Sequence, residues 1–81
     1  MKVNVRLSGD LVQQVGNARL QVALAENATA ADLVASLQEQ YPAAAERLEL
    51  VVPIIGGQHV SPETKLATGQ EVALLLPIAG G

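Results

Sequence analysis

The chain opens on a strict alternation. Val3, Val5 and Leu7 are apolar, and Lys2, Asn4 and Arg6 between them are polar. A period of two predicts a half-buried strand with one polar face. Ser8-Gly9-Asp10 ends it. Residues 11–15 are apolar but few, and Gly16-Asn17 closes them, so they read as a loop or a single helical turn over one end of a sheet. Leu20, Val22 and Leu24 alternate with Arg19, Gln21 and Ala23, which predicts a second strand. The two strands form an antiparallel hairpin with an unusually long connection for that motif.

The period then lengthens. Thr29 precedes Asp32 by three residues, a variant of the capping box whose third residue is usually Glu or Gln. Leu33, Leu37 and Tyr41 follow at steps of four with Val34 beside them, one apolar stripe of a helix over residues 30–40. Pro42 ends that helix and suits the first position of a short turn through residues 43–48. Residues 50–55 predict a third strand in which Pro53 requires an edge position or a bulge. Gly56-Gly57 is a hairpin turn returning through Gln58, His59 and Val60. Ser61-Pro62-Glu63-Thr64 is a further turn. The last strand covers residues 71–78. On it Val72, Leu74 and Leu76 face the helix, and Ala73 and Leu75 point away from it, toward water or a partner.

Strand, strand, helix, strand, short strand, strand is an α+β order. With the helix across one face of a mixed sheet of four to five strands, the first and last strands can lie parallel at the centre, joined by a crossover. This is the β-grasp, or ubiquitin-like, plan. Periodicity alone does not choose between it and other small α+β plans. The expected organisation is one β-grasp domain over residues 1–76 and an extended tail over 77–81.

Composition narrows the chemistry. The chain has 81 residues, 49% hydrophobic, with no cysteine and Tyr41 as its only aromatic ring. The core is therefore aliphatic, and no thiol or disulfide contributes. The net charge is -3, without a Lys/Arg cluster, so no nucleic-acid partner is expected. The charged, alternating start is neither a signal peptide nor a membrane span, which makes a cytoplasmic protein without membrane association the expectation. His59 is the only histidine and falls in a turn-rich stretch, so no metal site is expected. Ser8, Ser36 and Ser61 would have to share that one histidine for a triad. No Gly-x-x-x-x-Gly-Lys phosphate loop occurs. Self-contained catalysis is not expected, and no cofactor is expected on the chain itself.

Elimination leaves surfaces and the end of the sequence. Two terminal glycines arise by chance in roughly 0.5% of chains, given average usage. Without Cβ atoms, Gly80-Gly81 forms the slimmest backbone available and can present a carboxylate inside another protein's narrow channel. A frayed end is the plainer alternative. From Pro77 onward the chain spans roughly 17 Å when extended. Beside the tail, Leu75 and Ala73 read equally as part of a docking patch or as ordinary surface.

Residues 66–81, Leu-Ala-Thr-Gly-Gln-Glu-Val-Ala-Leu-Leu-Leu-Pro-Ile-Ala-Gly-Gly, resemble the C-terminal signature of molybdopterin synthase small subunits, which are ubiquitin-like sulfur carriers. The likeness extends to Ala28-Thr29-Ala30-Ala31-Asp32-Leu33 and to Tyr41-Pro42. Gln70 stands where an acidic residue is common, Leu76-Pro77 replaces a frequent Pro-Pro, and Gly56-Gly57 stands where Asn-Gly is frequent. Related carriers serve thiamine or cysteine synthesis, and ubiquitin-like modifiers share the Gly-Gly ending. The resemblance implies that an E1-like adenylyltransferase uses ATP to adenylate Gly81. A sulfur donor protein then displaces AMP to leave a thiocarboxylate. The large molybdopterin synthase subunit is the implied partner for sulfur transfer to the molybdenum cofactor precursor. The resemblance thus implies Gly81 and Gly80 as the reactive end, with Gly80 keeping the approach slim. It implies Leu75, Pro77, Ile78 and Ala79 as partner-binding residues, with Pro77 and Ile78 setting the direction in which the tail leaves.

Overall fold

The computed structural model describes residues 1–77. Strand β1 (Lys2–Leu7) buries Val3, Val5 and Leu7 and leaves its polar residues outward, as the alternation predicts. It pairs antiparallel with β2 (Arg19–Ala23), Val3 opposite Val22 and Val5 opposite Leu20. The long connection holds a six-residue helix, α1 (Asp10–Val15), rather than a loop or single turn. Leu11 is its fully buried anchor. Gly16 ends it in the left-handed conformation at φ 95°, with its N–H donating to the carbonyl of Val12.

Helix α2 (Ala30–Gln40) has the predicted limits. Asp32 replaces the usual Glu without loss of the box. The Asp32 N–H donates to Thr29 Oγ1 at 3.2 Å, and the Thr29 N–H donates to Asp32 Oδ2 at 2.9 Å. Two of the end groups that a helix leaves unpaired are thereby satisfied. Leu33 and Leu37 are buried to 1% or less against the sheet. After Tyr41 the chain turns through a 3₁₀ segment (Pro42–Ala44) into α3 (Ala45–Leu48), whose Leu48 closes the end of the core.

Strand β3 (Val52–Ile55) is shorter than the apolar run suggests, and Leu50 stands exposed before it. Strand β4 (Gln58–His59) returns across Gly56-Gly57, whose φ values of 60° and 80° need residues free of a Cβ penalty. Strand β5 is Glu71–Leu75 and stops short of residue 78, which lies outside the described residues. The sheet order is β2-β1-β5-β3-β4, with β5 parallel to β1 and antiparallel to β3. First and last strands thus meet at the centre, and α2 supplies the crossover between their edges.

Pro53 occupies the edge position that its missing donor requires, beyond the end of the β4 ladder, although β3 is not an edge strand. β3 has neighbours on both sides. The carbonyl of Pro53 accepts from the N–H of Val60 at 3.1 Å, so its nitrogen also faces that outer side, past the two-residue ladder with β4. The missing donor spares the ladder to β5.

Leu74 has no exposed surface and sits between Leu7 and Pro53 in the ladder. Leu74→Ala should lower the unfolding free energy by about 2–5 kcal/mol in urea denaturation. Thr29→Ala, which removes one half of the capping box, should cost about 1 kcal/mol in the same measurement.

Candidate functional site

The end of β5 is where the predicted site meets the fold. Val72 and Leu74 are fully buried on the helix side, which clamps the strand between β1 and β3. Leu75 lies on the opposite, open face of the sheet and is 37% exposed. Leu76 turns back and packs against the core, and Pro77 is exposed beyond it. The alternation of exposed, packed and exposed residues continues the strand's two faces past the last ladder bond. Ile78, Ala79, Gly80 and Gly81, the remaining predicted site residues, lie outside the described residues.

Ala73 shares the open face with Leu75, as the alternation predicts, but it is not available to a partner. It is only 7% exposed. Arg6 on β1 and Ile54 on β3 flank it in register, and their larger side chains cover a methyl group with ease. Ile54 and Val52, the latter opposite Leu75, supply the rest of an apolar strip on this face. Pairing register between β3 and β5 is not readable from either segment alone, so Val52 and Ile54 escaped the sequence reading. Leu76 packs against the core, as its place on the helix-facing alternation predicts.

No chemistry gathers elsewhere among the described residues. There is no group of three or more His, Cys, Asp or Glu side chains placed to hold a metal ion. His59 is exposed on β4, opposite Ile54. A groove of about 270 Å³ lies on the helix side, between α2, α3 and β3. Its polar lining is Gln38 and Glu49, already joined at 3.1 Å, and the Gln38 amide also donates to the carbonyl of Ala45. No helix among the described residues is long and apolar enough to cross a membrane. The arrangement can hold a chain end at a fixed point beside an apolar face.

A ubiquitin-like β-grasp domain is the class that this sheet order and crossover helix define. The ThiS family matches residues 5–81, and the chain belongs to that family. No curated protein sequence matches the chain. Among solved structures it is similar to SAMP1 from Haloferax volcanii, at 24% identity and a TM-score of 0.87, covering 100% of both chains. It is also similar to a chain of the complex of subunits 1 and 2 of the molybdopterin-converting factor from Helicobacter pylori, at 21% identity and a TM-score of 0.68, again over 100% of both chains. Ubiquitin from Caldiarchaeum subterraneum matches at 18% identity and a TM-score of 0.66, over 100% of this chain and 98% of that one. The fold is that of ThiS-type sulfur carriers and ubiquitin-like modifiers.

The two leucines at the end of β5 should separate on mutation. Leu76→Ala should lower stability by about 1–3 kcal/mol, because it removes packing against the core. Leu75→Ala should stay within about 0.5 kcal/mol of the parent. Thermal or urea unfolding of the pair checks this.

Proposed function

We propose that the protein is a sulfur carrier, acting as the small subunit of molybdopterin synthase, with the Gly81 carboxyl as its reactive group. The observation that carries this reading is the family match, which extends through residue 81 and so includes the Gly-Gly end. A terminal carboxyl has an ordinary pKa of about 3.3–3.7 and is an unreactive carboxylate at neutral pH. Activation must come from a partner. In the proposed sequence a Gly81 oxygen attacks the α-phosphorus of ATP on an E1-like adenylyltransferase, and pyrophosphate leaves. A hydrosulfide equivalent from the donor protein then attacks the acyl carbon, and AMP leaves. The resulting thiocarboxylate sulfur attacks an electrophilic carbon of the pterin precursor held by the large subunit, and a C–S bond forms as that carbon's bond to an oxygen leaving group breaks. Hydrolysis of the new acyl–sulfur bond leaves sulfur on the product and returns the carboxylate.

The fold suits this division of labour. Leu75, Val52 and Ile54 offer a partner an apolar face within two residues of Pro77. In the proposed complex Pro77, Ile78 and Ala79 line the entry to the partner's channel, and Gly80 passes where a side chain would not. A solved complex of two molybdopterin-converting factor subunits in a protein of the same fold favours this pathway over thiamine or cysteine synthesis. A second reading is favoured by the likeness to SAMP1, whose name is small archaeal modifier protein 1. In it the same end forms an isopeptide bond with lysines.

Reconstitution with the adenylyltransferase, ATP and a sulfur donor tests the carrier reading. The parent should gain a terminal thiocarboxylate. Gly81→Ala should keep its unfolding midpoint and lose about a hundredfold in the rate of thiocarboxylate formation, as misplacement of a reacting atom does. Normal turnover of a folded Gly81→Ala protein would contradict the proposed fit of bare backbone to the channel. Recovery of the chain joined to lysines of other proteins, and never as a thiocarboxylate, would favour the modifier.

A further inference from the structure

The open face of the sheet carries a charge pattern that the proposed chemistry at Gly81 does not use. Arg6 on β1 stands directly opposite Arg19 on β2, and both are exposed. Like charges facing each other across an antiparallel pair are destabilising. Arg6 has a long, solvent-exposed pairing with Glu71, Nη1 to Oε1 at 3.9 Å. Among the described residues Arg19 has no ion-pair partner. Lys2 lies on the same face, two positions before Asn4. Glu71 is the one acidic residue of the strands, and the others belong to helices and connections. A chain of net charge -3 therefore presents a locally basic sheet.

That basic flank is continuous with the apolar strip. Arg19, Arg6, Ala73, Ile54 and His59 form one row across all five strands. Arg6 and Arg19 border a shallow depression of about 410 Å³, with Asn4, Gln21 and Glu71 as its polar neighbours. Guanidinium groups take carboxylates through paired, charge-assisted hydrogen bonds.

We infer that this face docks a protein surface with an apolar centre and carboxylates along one flank, the centre meeting Leu75 and Ile54 and the carboxylates meeting Arg6 and Arg19. In the free chain the two guanidiniums repel. A carboxylate beside this pair offsets the like charges, which Glu71 meets only through its exposed 3.9 Å pairing with Arg6. The negative net charge opposes a phosphate backbone, while an acidic protein surface matches both the arginines and the apolar strip beside them. The inference rests on the carrier reading only in that docking here brings Pro77 against the activating or accepting partner.

The test titrates the isotope-labelled full chain with a synthetic peptide of alternating Glu and Leu, and with a Lys–Leu peptide of equal length. The Glu–Leu peptide alone should shift the amide signals of Arg6, Arg19, Ala73 and Leu75. Binding should weaken about tenfold in the Arg6→Gln/Arg19→Gln variant, whose exposed positions leave folding intact. The same loss should follow at about 1 M salt, where screening acts within about 3 Å. Equal response to both peptides, shifts confined to the helices, or no binding would overturn the inference. So would a single-stranded oligonucleotide that binds as tightly as the Glu–Leu peptide. Shifts that grow with the chain's own concentration would assign the face to a second copy instead and overturn it equally. Adenylation of Gly81 is assayed apart from this. A chain that binds the peptide but is never adenylated keeps its docking face and loses the carrier reading.

Discussion

Everything in this small protein depends on the parallel pairing of β1 with β5. It joins the two segments of the sheet that are furthest apart in sequence, Asn4 with Glu71 through Leu7 with Leu74. A parallel pair cannot be made by a hairpin and requires a crossover. The intervening chain supplies it as α2, laid over the helix side of the sheet. Val5, Leu7, Val72 and Leu74 are each buried to 3% or less at that junction. The core they share with Leu33 and Leu37 is wholly aliphatic. Tyr41, the chain's one aromatic ring, packs half-buried against it, and with no cysteine in the chain no disulfide adds to it. The central strand β5 is therefore held by a neighbour on each side, and Leu75 and Pro77 are its last exposed described residues.

That placement explains how a domain without a catalytic cluster can serve chemistry. A carrier has to present one group at a fixed distance from a docking face. β5 provides both parts through the period of a strand. Leu74 and Leu76 turn toward the core, while Leu75 and Pro77 turn outward. The strip formed by Leu75, Val52 and Ile54 adjoins the arginines of β1 and β2, so in the proposed carrier recognition and delivery share one face. The groove on the helix side, with its amide and carboxylate already bonded to each other, has no part in this.

Much of the fold was legible because its elements are strongly periodic. β1, β2 and α2 follow from patterns of two and four, and Thr29 and Asp32 mark the helix start as the hydrogen bonds place it. α1 was underestimated because six residues hold too few turns for a period to declare itself, and its stability comes from burying Leu11. Pro53 marked an edge position, but a residue type does not tell which side of the strand that edge is on. The site was legible in part. Leu75 could be assigned to an outward face from alternation. Ala73 could not be assigned its burial, since that depends on Arg6 and Ile54, which only the ladder register brings beside it. The pairing of Arg6 with Arg19 is likewise a product of register, and neither arginine is conspicuous in the sequence.

The central claim is that Gly81 carries sulfur as a terminal thiocarboxylate. Intact-mass measurement of the untagged protein purified from its own cells under reducing-agent-free, rapid conditions tests it most directly. The account predicts a fraction of chains in which one oxygen is replaced by one sulfur, with fragmentation placing the change on Gly81. A population made up only of the unmodified carboxylate in cells actively making the sulfur-containing product, or of chains joined to lysines of other proteins, would contradict it.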